Sequence, residues 1–166
     1  MALALLLFVT LQRGAELIHA RRNTRRLLAE GAVEIGARHY AALVLLHAAW
    51  LASLWLWLAA GRAELNAAAA LAYLAVQLVR AWVMASLGRY WTTRILVPRE
   101  APLVERGPYR FLRHPNYAVV AAEIVLLPLA LGARPLAMLF SVLNAAALAL
   151  RIHVEETSLA PRRHPV

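Results

Sequence analysis

Residues 117–154 read YAVVAAEIVLLPLALGARPLAMLFSVLNAAALALRIHV. Two apolar runs, 117–132 and 135–154, are broken only by Gly132-Ala133-Arg134-Pro135. Each run is close to the roughly 20 residues that cross a hydrocarbon core of about 30 Å as a helix. A Gly/Pro break this short predicts an antiparallel helical hairpin. Moving outward toward the N-terminus, three more runs appear, at 1–20, 41–60 and 65–86. The first is interrupted by Gln12, Arg13, Glu16 and His19, the third by Asn66, Gln77 and Arg80. The first run has no basic segment before it and no small-residue cleavage site after it. It is therefore expected to remain a span rather than a removed signal. The expected fold is an all-α membrane bundle of five transmembrane helices, a single domain over 1–166. Its parts are a three-helix portion (1–86), a loop (87–116) and the terminal hairpin with its tail (117–166).

Composition supports this. Hydrophobic residues make up 62% of the 166, charged residues 16%, and the mean hydropathy is +0.59. A soluble domain carries roughly 25% charge. Cys, Lys and Asp are absent; all 18 basic residues are Arg and all nine acidic ones Glu. Disulfides, thiolate metal sites, cysteine nucleophiles, lysine Schiff bases and aspartate-based triads are excluded. The six histidines show no HxxxH or HxxH spacing, so no metal site is expected. The net charge of +9 is better explained by membrane-face arginines than by nucleic acid, because so apolar a chain has no soluble surface to offer it.

The arginines also set an expected topology. Fourteen of them fall in 21–40, in 87–116 or at and beyond Arg151, and only Arg62 and Arg134 fall on the opposite side. That bias places both long loops and the C-terminus in the cytoplasm and the N-terminus outside. Tyr40, Tyr90 and Trp91 then fall at interfaces, as belt aromatics do.

Two segments have residues suited to chemistry. The first, 103–117, reads LVERGPYRFLRHPNY. Gly107-Pro108 signals a turn. Pro115 bars His114 from helical backbone and suits the first position of a helix. A helix start here offers free N–H groups to a carboxylate or phosphate. His114, Tyr109 and Tyr117 stand beside it with flat faces and hydrogen bonds. The bland alternative is an interfacial loop whose arginines touch lipid phosphates. The second segment, 151–159, reads RIHVEETSL, with Arg151 and Glu155 on one helix face. It is either a site pair or a snorkelling salt bridge. Within the spans, Gln12, Glu16 and His19 share a face. Glu123, two turns into its helix, is expected to line the same cavity as His114. Asn144 and Gln12 read as interhelical hydrogen-bonding residues.

GPYRFLRHPNY at 107–117 and RxxxEExxL at 151–159, with the hairpin between them, resemble the isoprenylcysteine carboxyl methyltransferase family, itself similar to membrane phospholipid methyltransferases. The clear match covers about 87–160. The N-terminal portion, from Gln12-Arg13 through Arg21-Arg22-Asn23 to His39-Tyr40, resembles a bacterial subgroup. Its members accompany type III polyketide synthases and O-methylate long-chain alkylpyrones or alkylresorcinols.

The resemblance implies S-adenosylmethionine as methyl donor, held at the cytosolic face by the loop before the fourth span and by the tail of the fifth. It implies that Pro102, Leu103 and Val104 line the cofactor pocket. Tyr109, His114, Pro115, Asn116, Tyr117 and Glu155 fall on its remaining cofactor-contact positions. Arg151 falls on an arginine turned toward the methyl acceptor, and Arg94 roughly on a polar cofactor contact. The eukaryotic members have additional N-terminal spans that this chain lacks. No GxGxxG exists among the seven glycines, which sets the chain apart from soluble Rossmann-type methyltransferases.

The resulting expectation is a methyltransferase acting on a carboxylate or hydroxyl of a lipophile that enters sideways from the bilayer. A carboxylate needs only Arg151 to hold it. A phenol or enol must lose a proton, for which Glu156, His114 and Glu123 are the candidates. An N-methyltransferase of phospholipid type and a non-catalytic scaffold are the alternatives. Arginine- and alanine-rich usage points to a GC-rich bacterium, and so to a bacterial inner membrane.

Overall fold

A computed structural model describes residues 1–97 and 104–163. Pro102 and Leu103, among the expected cofactor contacts, lie outside the described residues. Five helices form the bundle: α1 (Ala2–Ala29), α2 (Ala37–Ala59), α3 (Ala67–Leu87), α4 (Pro115–Ala130) and α5 (Arg134–Arg163). Four of them are long and apolar enough to cross a bilayer, which makes this an integral membrane protein. The fourth expected span, 117–132, corresponds to α4, which starts and ends two residues earlier and at 16 residues is about 24 Å long, short of the hydrocarbon thickness. It can be short because it lies inside the bundle. Packed between α3 and α5, α4 buries Tyr117, Val119, Glu123, Ile124 and Leu127.

The first helix departs from expectation in the other direction. The apolar run stops near residue 20, yet α1 continues to Ala29 through RRNTRRLLA. Arginine and leucine are strong helix formers, and no Gly or Pro intervenes before Gly31.

The all-helical expectation also needs one amendment. Val33–Ile35 (β1) and Ile95–Val97 (β2) form an antiparallel ribbon, with Val33 opposite Val97 and Ile35 opposite Ile95. β-branched residues at alternate positions favour this pairing. The ribbon ties the 21–40 segment to the 87–97 segment at one end of the bundle. At the other end, the α2–α3 connection meets the hairpin turn: Glu64 N–H donates to Leu131 O (3.3 Å) and Asn66 N–H to Ala130 O (2.9 Å).

The apolar core lies toward that second end. Leu6 and Val9 of α1, Leu54 of α2, Tyr73 of α3 and Leu127 of α4 pack there. Nearer the ribbon end, the bundle is held by charge. Arg80 of α3 donates through Nε and Nη2 to both oxygens of Glu16 (2.6 Å each) and through Nη1 to Glu123 (3.0 Å). Arg13 closes the ring, reaching Glu16 at 2.8 Å and Glu123 at 2.6 Å. Gln77 donates to Glu123 (2.9 Å), and Gln12 to Gln77 (2.8 Å).

Two arginines and two glutamates balance, which is how ionisable groups persist inside a span. The sequence places Glu123 in a cavity shared with His114 and makes it one of three candidate proton acceptors. Its oxygens are instead taken by Arg13, Arg80 and Gln77. Gln12 does bond between helices as expected. Asn144 is buried, but its Oδ1 has no partner among the described residues.

Candidate cofactor and acceptor site

The site forms where the start of α4 meets the tail of α5. Gly107–Arg110 makes a 3-10 turn with Pro108 buried, and Pro115 opens α4 as its first residue. Gly107 has a backbone φ of +59°, and a Cβ there would collide with Ser86 Oγ at the end of α3. Arg106 Nε fixes the approach by donating to Ser86 O (2.7 Å). Only glycine fits this crossing. Gly107→Ala is expected to lower unfolding stability by about 1–2 kcal/mol from the left-handed backbone alone, read by thermal unfolding in detergent.

His114 and Tyr117 lie one turn apart and stack, with ring centroids 5.4 Å apart and planes at 17°. Both reach α5. The Tyr117 hydroxyl donates to Glu155, and His114 Nε2 lies 3.2 Å from Glu156 Oε1. Arg151, one turn before Glu155, donates from Nε to the Tyr117 hydroxyl (2.9 Å) and from Nη2 to Thr93 O (2.7 Å). Tyr109 faces the same carboxylate. Burial first, and then the charge of Glu155, push its phenol above the usual range.

Of the residues singled out from the sequence, Tyr109, His114, Tyr117, Arg151, Glu155 and Glu156 come together in one cluster. Pro115 and Asn116 begin the helix beneath them. Val104 is half-buried ahead of the turn, with no polar role.

Three features bear on a ligand. The Asn116 side-chain oxygen is buried and has no partner among the described residues. α4 starts without a side-chain cap; Pro115 has no N–H and Tyr117 N–H donates back to His114 O (3.1 Å), so the Asn116 N–H is the donor left available at this helix start among the described residues. Glu155 adds a carboxylate. An orphaned acceptor, a helix start and a carboxylate together suit an amino acid-like group carrying both an ammonium and a carboxylate.

On the other side of Arg151 is a cavity of about 140 Å³ between α2 and α5. Its walls are Gly36, Ala42, Leu43, Leu46, Ile95, Ala147, Leu150 and Val154, and Arg151 is the only charged residue among them. Arg151 therefore borders both the polar cluster and an apolar slot.

Sequence reading missed the support for Arg151. Thr93 acts through its backbone carbonyl, which carries no sequence signature. The Thr93 hydroxyl is 3.0 Å from that of Tyr40. Arg94, matched roughly to a polar cofactor contact, pairs with Glu34 at 2.7 Å and lies over the Tyr40 ring at 4.7 Å. The Glu34 hydrogen bond is the main cause of a raised Arg94 pKa. Trp91 is no belt residue: it is 2% exposed and stacked on His19. Among the described residues, no group of acidic and histidine side chains could hold a metal.

Two comparisons locate this arrangement among known proteins. The model of the isoprenylcysteine carboxyl methyltransferase family matches residues 68–161, from α3 to the end of α5. "Uncharacterized protein YpbQ" of Bacillus subtilis (strain 168) is 39% identical over 169 aligned positions, covering 93% of this chain and 94% of the relative. No solved structure matches.

Proposed function

The chain belongs to the isoprenylcysteine carboxyl methyltransferase family and is a membrane methyltransferase, and on that premise we propose that it methylates an anionic oxygen on a lipophilic acceptor, with S-adenosylmethionine as donor. The observation that carries this reading is the double position of Arg151, hydrogen-bonded to Tyr117 and lining the apolar slot. An alkyl or prenyl chain between α2 and α5 would bring its polar end to that guanidinium. A cationic amine acceptor would be repelled there, which disfavours the phospholipid type.

S-adenosylmethionine, when bound, supplies an electrophilic methyl carbon on a sulfonium. The Asn116 side chain and backbone N–H, together with Glu155, would hold its amino acid portion, with Tyr109 and Tyr117 enclosing it. Val104 and Pro115 would complete the wall. Arg151 holds the acceptor oxygen and neutralises its charge, so a carboxylate needs no base. For an enol or phenol, the His114–Glu156 pair takes the hydroxyl proton. Water exclusion and alignment account for most of the expected rate. The arginine-rich end faces the cytoplasm, where the donor is made; the bias of fourteen arginines supports this.

The test is Arg151→Ala. Methyl transfer to a long-chain alkylpyrone or a prenylcysteine carboxylate should fall by about 10²-fold or more, while S-adenosylhomocysteine still stabilises the protein. Unchanged acceptor kinetics would refute the acceptor role of Arg151.

A further inference from the structure

The C-terminal third of α1 carries charge that neither the bundle nor the site uses. α1 is 28 residues long, about 42 Å, well beyond what its apolar run needs. Past Ala20 it presents Arg21, Arg22, Arg25 and Arg26, all exposed. At about 100° per residue these four occupy one arc of about 140°. Ala20, Asn23 and Leu27 are buried on the opposite face, where Asn23 bonds Gly88 O and Trp91 O. The stripe therefore points away from the protein.

None of the four has an ion-pair partner among the described residues. The nearest carboxylates along the chain are engaged elsewhere, Glu16 by Arg13 and Arg80, Glu30 by Arg89 and Glu34 by Arg94. Arg21 to Arg26 rise about 1.5–9 Å beyond Ala20, roughly the depth of one headgroup layer.

A second feature stands at the same end. After the Gly107–Arg110 turn, which packs on the end of α3, Phe111 is 76% exposed and Leu112 55% exposed. Arg110 and Arg113 flank them, both exposed. A large apolar pair at a loop tip, bracketed by cations, suits the boundary between acyl chains and phosphates. The two features differ in origin, one being helical and the other a turn, yet both match one surface.

We propose that this end of the molecule binds anionic phospholipid headgroups. The α1 arginines take the phosphodiesters, and Phe111 and Leu112 insert below them. His114 follows Leu112 by two residues, so this anchoring would hold the start of α4 at headgroup depth. The binding itself does not depend on the methyltransferase reading.

Native mass spectrometry of the protein released from detergent, with phosphatidylglycerol or phosphatidylcholine added, reads the preference directly. We expect retention of phosphatidylglycerol over phosphatidylcholine by roughly tenfold or more. Replacing all four arginines (R21Q/R22Q/R25Q/R26Q) should bring the ratio near one. Because that change also removes topology signals, F111S/L112S serves as a second variant with every arginine kept; it should weaken retention of both lipids. Equal retention of the two lipids by the wild type, or an unchanged preference in the quadruple variant, overturns the proposal. So does a preference abolished by inorganic pyrophosphate, which would mark a soluble phosphate as the ligand. Tighter binding of an acidic peptide than of phosphatidylglycerol would overturn it in favour of a protein partner.

Discussion

Glu155→Gln is expected to abolish the stabilisation that S-adenosylhomocysteine gives the purified protein. Glu155 meets Tyr117 from α4 and faces Tyr109 from the preceding turn, so one carboxylate joins three pieces of chain. Glutamine keeps the size and one acceptor but loses the negative charge that an ammonium group seeks. At a ligand concentration about 100 times Kd, wild-type stabilisation is about 2.7 kcal/mol, and the variant should show almost none. Differential scanning fluorimetry in detergent reads this. The unliganded variant should melt close to wild type, because Glu155 lies at a half-open helix end. A full ligand-induced shift in the variant would remove Glu155 from the cofactor site.

Arg80→Met is expected to lower the thermal stability of the helical bundle strongly. Arg80 is 7% exposed and makes three of the hydrogen bonds that hold Glu16 and Glu123. Removing it leaves two buried carboxylates facing one arginine, Arg13. Breaking a buried ion pair from one side typically costs about 3–5 kcal/mol. Removing the charges together, as R80M/E16Q, should restore part of that loss, since no carboxylate is then left unpaired by the change. Thermal unfolding in detergent checks both. Equal stability of Arg80→Met and wild type would mean that the ring does not hold α1 to α3 and α4.

The legible part of this molecule was the part governed by local rules. Hydropathy gave the five helices. Pro115, Gly132 and Pro135 marked the start of α4 and the hairpin turn. The i, i+4 spacing of Arg151 and Glu155 put both on one face, and the structure turns that face toward Tyr117 and His114.

What escaped was set by tertiary partners. Arg13 and Glu16 read as interruptions of the first span because their partners, Arg80 and Glu123, lie 64 and 110 residues away along the chain. Glu123 read as a cavity residue for the same reason. The ribbon of β1 and β2 was hidden because three-residue strands in separate loops carry too short an alternation to see. Thr93 supports Arg151 through a carbonyl that every residue possesses. Residues 21–29 were read as loop from their charge, although their helix propensity is high.

The central claim is that the start of α4 and the tail of α5 enclose one nucleoside-bearing sulfonium. Photocrosslinking with radiolabelled S-adenosylmethionine, followed by peptide mapping, tests it most directly. The label should fall within 104–117 and 151–157, and excess S-adenosylhomocysteine should displace it. Label concentrated in 1–29 or 66–87 would contradict the account.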